Sequence, residues 1–372
     1  MSVNRSLIAP TSNPALEQAL RHKIDWRAAT IGSLGELEAL ALQLGLIQNT
    51  LTPQFSAPQL VIFAADHGLA VEGLAPPGRP TTAQLADQLL RLHLPVAVLA
   101  RLQGLELSMV DCGVAEPMAP HPRLLARKIA HATRNARVSA AMTLDQAHAA
   151  IRAGMEIGDA LAGNALACAG LGVGANQSAA MVLSRLSGTS LSDLLIAGPE
   201  MEEATLAHLL TVLNAALTRH KDALDPVEVL AAFGGFEVAV MVGAMLVAGS
   251  KRRLIIVDGM PACAALLVAS RIAPAVVDYC VFCRSHKHRG LDQALKLFNA
   301  SALLELGMES ADGTGATLAW PLLRSAAALL TELVDADDAL PIRVDPGADV
   351  GVDIGANSEA AITGHPATCP AP

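Results

Sequence analysis

A short apolar run that ends in aspartate recurs along this chain and sets the terms of its fold. Gln59-Leu60-Val61-Ile62-Phe63-Ala64 leads to Asp66-His67-Gly68, Leu107-Ser108-Met109-Val110 to Asp111-Cys112-Gly113, and Leu254-Ile255-Ile256-Val257 to Asp258-Gly259. More weakly, and without the glycine, Ala275-Val276-Val277 ends in Asp278. Runs this short and apolar predict strands buried on both faces, as in a parallel sheet covered by helices. In an open sheet of that kind the ligand crevice lies at the carboxyl ends of the strands, where Asp66 and His67 are delivered.

Between the runs lie Ala/Leu segments at 82–103, 143–168, 202–219 and 236–249, of the length that crossover helices need. The expected fold class is therefore α/β, a Rossmann-like parallel sheet flanked by helices. Residues 14–47 read instead as two helices parted at Gly32-Ser33-Leu34-Gly35, with Ser33 available to cap the second. Aromatics make up 2% of a chain that is 52% hydrophobic, so the core must be built from Ala, Leu, Val, Ile and Met.

A formal charge of -9 gives phosphates no global attraction. Nucleic acid is not an expected partner, and an anionic ligand must meet local donors. The apolar run Val238–Gly249 is shorter than the roughly 20 residues of a membrane span and reads as a buried helix. The first residues lack the apolar core of a secretory signal, so the expected compartment is the cytoplasm. Six scattered cysteines form no disulfide framework. The pair Cys280/Cys283 reads as core packing, and His286 and His288 as a solvated basic loop without a completing metal-ligand set. Residues 342–372, rich in Asp, Gly, Pro and Ala, read as a loose tail.

Three glycine-rich segments precede helices. Gly170-Leu171-Gly172-Val173-Gly174-Ala175-Asn176-Gln177-Ser178 suits either a phosphate approaching bare backbone or close packing of helix on strand. Gly234-Gly235-Phe236-Glu237 suits a ligand or, taken alone, a helix start favoured by the Glu237 carboxylate. Asp312-Gly313-Thr314-Gly315-Ala316 opens the apolar stretch Thr317–Leu333, and is explained equally by a ligand loop or a capped helix start.

Taken in order, Gly32-Ser33-Leu34-Gly35-Glu36-Leu37-Glu38, Phe63-Ala64-Ala65-Asp66-His67-Gly68, the 170–178 loop, Gly234-Gly235-Phe236-Glu237, Val257-Asp258-Gly259 and Asp312-Gly313-Thr314-Gly315-Ala316 resemble the nicotinate-nucleotide:dimethylbenzimidazole phosphoribosyltransferases of cobalamin lower-ligand assembly. The resemblance runs from about residue 14 to 335. It implies a large α/β domain over 51–300 and a small helical domain assembled from both chain ends, residues 1–50 and 301–341, in a homodimer. The implied reaction moves phosphoribose from nicotinate mononucleotide to a benzimidazole-like base, with no cofactor and no metal.

The resemblance also implies site roles. Asp312 is the general base, at a position where the family carries glutamate. Thr82 and Gln84, with Asp66 and His67, fall on the acceptor side. Gly172, Gly174, Asn176, Ser178, Gly234, Gly235, Asp258, Gly259, Gly313, Thr314 and Gly315 fall on the phosphoribosyl side. The chain also departs from the family. Ala75, Pro77, Gly78 and Arg79 remove an aromatic wall and a hydroxyl, Gly170 replaces a glutamate, Gly198-Pro199-Glu200-Met201-Glu202 replaces a glycine-rich loop, and Leu209 replaces a phosphate-facing lysine. Arg284, Lys287 and Arg289 are the candidate compensating cations. The competing expectation is a catalytically weakened relative that binds a nucleotide or base, or serves as a partner subunit.

Overall fold

The computed structural model describes residues 7–74, 78–195, 202–284, 289–308 and 313–333. Seven strands, β1 (Gln59–Ala65), β2 (Glu106–Gly113), β3 (Leu124–Ala126), β4 (Ala165–Leu171), β5 (Leu254–Val257), β6 (Cys280–Arg284) and β7 (Ala302–Leu304), form one sheet in the order β3-β2-β1-β4-β5-β6-β7. All the pairings are parallel. The chain leaves β1 in one direction through β2 and returns to its other side with β4, so the strand order reverses there. That reversal opens a crevice beyond the carboxyl ends of β1 and β4.

The helices are α1 (Pro14–Ile31), α2 (Glu36–Gln48), α3 (Thr82–Leu90), α4 (Pro95–Gln103), α5 (Leu144–Ala160), α6 (Ala175–Ser187), α7 (Leu191–Leu194), α8 (Glu203–Arg219), α9 (Pro226–Phe233), α10 (Phe236–Ser250), α11 (Met260–Ile272), α12 (Arg289–Leu297) and α13 (Thr314–Thr331). Helices α1, α2 and α13, the first two and the last of the described helices, pack on one another. Trp320 of α13 closes that region over Phe55, with ring centroids 4.8 Å apart.

Helix α10 carries almost no polar residue and is buried nearly all round, as the run Val238–Gly249 predicted. It lies between the sheet, α5 and α11. The contact with α5 requires bare backbone on both sides. A Cβ on Gly154 would sit 1.9 Å from the Val240 carbonyl, and one on Gly243 1.9 Å from the Ile151 carbonyl. Helix ends are closed by arginines reaching free carbonyls, which also oppose the negative end of the helix dipole. Arg252 donates to Leu46 and Ile47 at the end of α2, Arg253 to Gly158 and Leu161 at the end of α5, and Arg185 to Leu217 and Lys221 after α8.

Several local expectations change. The segment 82–103 is two helices, with Pro95 starting the second, because proline lacks the amide that a continuing helix would use. The helix expected over 143–168 stops at Ala160, and Ala165–Cys168 belong to β4. Ala275–Asp278 is a 3-10 turn that Pro274 initiates, and the strand follows at Cys280. Ser33 does not cap α2. Gly35 holds the cap position, and the Ser33 hydroxyl donates to Glu38 Oε2 at 2.9 Å. Cys280 and Cys283 are buried, their thiols turned to the Val276 and Val257 carbonyls. The tail at 342–372 and the pair His286/His288 lie outside the described residues.

Candidate active site

Strand β1 ends by delivering Asp66 to the crevice, and the surrounding backbone folds onto its carboxylate. The Thr82 hydroxyl at the start of α3 donates to Oδ1 at 2.5 Å, and the Ala115 amide beyond β2 donates to Oδ2 at 2.8 Å. The Val173 amide in turn donates to the Thr82 hydroxyl at 3.1 Å. One threonine therefore joins the end of β1, the start of α3 and the glycine loop after β4. Gly172 makes that junction possible, since a Cβ there would lie 2.0 Å from the Ala65 carbonyl.

His67 points the other way, into the protein. Its Nε2 lies 3.1 Å from Glu237 Oε1, and both side chains are buried. Burial lowers the His67 pKa, but Glu237, by charge and by hydrogen bond, and Asp66, by charge, more than offset it, so the value is raised above that of free imidazole. Two glycines form the walls. A Cβ on Gly174, which has φ of 92°, would lie 3.1 Å from the His67 Cβ. One on Gly235 would fall 2.1 Å from Glu237 Oε2 and 2.4 Å from the His67 ring. Glu237, read from sequence as a helix-start carboxylate or a ligand contact, is thus the partner of His67.

A second cluster forms around Asp258, which is fully buried after β5. Its Oδ2 accepts from the amides of Gly313 at 2.7 Å and Ala316 at 3.1 Å, so the start of α13 is capped by a carboxylate 55 residues earlier in the chain. Gly313 adopts φ of 93°, and a Cβ on it would meet Ile62 of β1 at 2.9 Å and Ala169 of β4 at 3.5 Å. The α13 N-terminus therefore sits against the same two strands as the Asp66 cluster. Thr314 and Gly315 occupy its buried first turn, and Gly259, with φ of 88°, heads α11. Asp258→Ala is expected to lower unfolding free energy by about 2 kcal/mol, because two buried amides lose their acceptor; urea unfolding monitored by circular dichroism checks it.

The remaining sequence candidates divide. Ser178 is buried and donates its hydroxyl to the Phe233 carbonyl at 2.7 Å, which joins α6 to the end of α9 just before Gly234. Asn176 is exposed on the first turn of α6. Gln84 is also exposed, and its Oε1 closes a capping box by accepting from the Thr81 amide at 3.0 Å. Leu209 packs in the core with α8, so its position brings no charge to the crevice. Gly170 faces Pro261 of α11, whose ring a Cβ would meet at 2.6 Å. Asp312 and Lys287 lie outside the described residues, as do the side chains of Arg284 and Arg289 and the segment 198–201.

A cleft of about 270 Å³ opens at this end of the sheet, lined by Asp66, Arg79, Thr82, Glu116 and Val173 among others. A larger one, about 550 Å³, lies between α2, β6, β7 and α13. None of the residues singled out for chemistry lines the larger cleft. Glu116 and the bond from Ala115 to Asp66 carried no sequence signal, because they follow β2 in an irregular loop.

Polar side chains gathered where the order of an open parallel sheet reverses, with helix N-termini around them, define an α/β enzyme with a small-molecule site. Within that class the family described as Phosphoribosyltransferase matches residues 9–340, and the chain belongs to that family. A relative from Cupriavidus taiwanensis named nicotinate-nucleotide--dimethylbenzimidazole phosphoribosyltransferase is 43% identical over 327 residues, covering 87% of this chain and 94% of its own length. One of the same name from Cupriavidus necator is 44% identical over 322 residues, covering 86% and 93%. The crystal structure of nicotinate-nucleotide-dimethylbenzimidazole phosphoribosyltransferase from Thermus thermophilus superposes with a TM-score of 0.80 at 29% identity, covering 88% of this chain and 98% of that one.

Proposed function

We propose that this chain transfers the phosphoribosyl group of nicotinate mononucleotide to a ring nitrogen of 5,6-dimethylbenzimidazole or a related aromatic base. The products are α-ribazole 5'-phosphate and nicotinate, in the assembly of the cobalamin lower ligand. The observation that carries this reading is the 43–44% identity, over 93–94% of their length, to enzymes of that name.

The chemistry asks little of the protein beyond placement and one proton transfer. The pyridinium of the donor is already a leaving group, and the incoming base must be held in line with the anomeric carbon. As that base attacks, positive charge develops on its ring, and a carboxylate relieves it by taking the proton from the second nitrogen. Asp312 has that role in the proposal. The cleft beside Asp66 and Thr82 receives the base. The phosphoribosyl group lies toward the amides of Gly172 and Gly174 and the start of α6, where bare backbone and the helix dipole favour an anion. Helices α1, α2 and α13 constitute a small domain beside the sheet, and the enzyme works as a cytoplasmic homodimer.

The test is incubation of the purified protein with nicotinate mononucleotide and 5,6-dimethylbenzimidazole, with chromatography for both products. Nicotinate and α-ribazole phosphate in equal amounts are expected. Release of neither, with this base or any related one, overturns the proposal.

A further inference from the structure

Asp66 and His67 are neighbours at the end of β1 that point opposite ways, and the glycine loop before α6 is in contact with both. On the crevice side the Val173 amide donates to the Thr82 hydroxyl, which donates to Asp66. On the inner side Gly174 lies against the imidazole: a Cβ there would fall 3.1 Å from the His67 Cβ and 3.5 Å from its Cγ. The second glycine segment closes on the same ring, since a Cβ on Gly235 would fall 2.4 Å from the His67 Cε1. In the first turn of α6 the Ser178 hydroxyl donates to the Phe233 carbonyl, just before that segment, at 2.7 Å. His67 is therefore the common floor of both loops, and what fixes its ring fixes their spacing.

Among the described residues the ring has one hydrogen-bond partner, Glu237, whose Oε1 lies 3.1 Å from Nε2. Glu237 is fully buried and its Oε2 has no hydrogen-bond partner there, so the bond and the charge of His67 are what offset its burial. Few other charges face the pair. Asp66 precedes the ring on β1, and β2 brings the Cys112 thiol, pushed up by burial and by the charges of Glu237 and Asp111. Asp111 is itself paired with Lys128 Nζ at 3.1 Å, and Arg134, whose backbone packs on Gly68, is exposed. Ala175-Asn176-Gln177-Ser178 and Gly234-Gly235 carry no charge. A ring released by Glu237 is free to turn, and Gly174, at φ of 92°, has no side chain of its own to hold the loop. The amides of Gly172 and Gly174 would then lose their common orientation with the start of α6.

We propose that the buried His67–Glu237 pair positions the glycine loop before α6 for the phosphoribosyl donor, and so sets donor affinity without touching the donor. The inference rests on the transferase reading above and adds two positioning residues to it, His67 acting through Gly174 and Glu237 acting through His67. Neither takes part in the proton transfer.

The experiment measures kcat and KM for nicotinate mononucleotide between about pH 6 and about pH 9, with 5,6-dimethylbenzimidazole saturating, in wild type, Glu237→Gln, His67→Gln and Thr143→Ala. Calorimetric titration of the donor alone into each full-length protein is run alongside. In Glu237→Gln the shape is kept, but burial, the largest influence on His67, is opposed only by Asp66, so the ring is left uncharged beside a buried amide. At about pH 6 its KM is expected to be about 10-fold or more above wild type, with kcat within a few-fold. His67→Gln, uncharged throughout, is expected to behave likewise. The ratio of variant to wild-type KM, in which titration of the substrates cancels, should shrink toward alkaline pH, because the raised wild-type His67 loses its proton there. Thr143→Ala removes the capping box of α5, which lowers stability but leaves the loop alone, and its KM stays at the wild-type value. A KM unmoved in both pair variants, a ratio constant with pH, or an equal rise in Thr143→Ala overturns the inference while leaving the transferase intact. If the pair variants do not fold, the wild type decides: donor affinity that fails to weaken between about pH 7 and about pH 9 overturns it. Absence of nicotinate release with every base overturns the transferase instead, and the calorimetric affinities then decide the positioning by themselves.

Discussion

Glu237→Ala is expected to cost about 3–5 kcal/mol of unfolding free energy, because it leaves the buried His67 without its charge partner. The pair sits in close contact with both glycine segments. Gly174 packs on the His67 Cβ, and Gly235 has no room for a side chain beside the carboxylate. Glu237 Oε2 has no hydrogen-bond partner among the described residues, so the Oε1 bond to His67 is what offsets burial of the charge. The same pair gives a pH signature. His67 is raised in the folded state: burial alone lowers it, and Glu237 and Asp66 reverse that. A raised histidine contributes stability that is fully present below its unfolded pKa, about 6.5, and is lost as pH rises through the folded value. Glu237→Gln keeps the shape and removes the charge. The stability gap between wild type and Glu237→Gln in urea is therefore expected to be widest in mildly acidic buffer and to narrow toward alkaline pH. A gap that stays constant, or widens, between about pH 6 and about pH 9 would falsify the charged pair.

How much of this architecture the sequence discloses depends on which physical signal each element carries. Strands β1, β2 and β5 are legible because they are buried on both faces, or nearly so, and end in aspartate. Strand β4 is hidden because its residues, Ala165-Leu166-Ala167-Cys168-Ala169-Gly170-Leu171, are small and helix-favouring. Gly170 is small for a tertiary reason, since Pro261 leaves no space beside it. Packing overrode propensity there. Strands β3 and β7 are three residues each at the sheet edges and too short to show a period.

In the site, the positions were more legible than the partners. Asp66, His67, Thr82, Asp258 and the glycine loops were all identifiable, yet Thr82 bonds across 16 residues, Asp258 across 55 and His67 across 170. No local spacing encodes such pairings. Their effect is to engage groups that sequence alone leaves free for a ligand. The Asp66 carboxylate binds protein at both oxygens, the Ser178 hydroxyl ties α6 to α9, and Gln84 closes a cap. Arg79 and Glu116, which line the cleft without such a bond among the described residues, are an unpatterned arginine and glutamate in loops.

Replacing Asp312 by asparagine is expected to lower kcat by about 100- to 10,000-fold, the range a positioned general base contributes. The residue after it, Gly313, is held by the Asp258 carboxylate and packs against Ile62 of β1 and Ala169 of β4. Asparagine keeps the size of the side chain and can still accept a hydrogen bond from the second ring nitrogen. It cannot take the proton, so the ring must carry its positive charge through the transition state. The loss is therefore expected in kcat, with KM for nicotinate mononucleotide changed by no more than a few-fold. The pH profile should also lose its acidic limb, which reports protonation of the carboxylate. Asp312→Glu adds one methylene and preserves the base, and activity is expected to persist in it. Asp258→Ala provides the contrast: it releases Gly313, so both stability and kcat fall, whereas Asp312→Asn unfolds at the wild-type urea midpoint. A kcat within about threefold of wild type in Asp312→Asn, or an acidic limb unchanged in it, would place the base elsewhere and remove Asp312 from the mechanism.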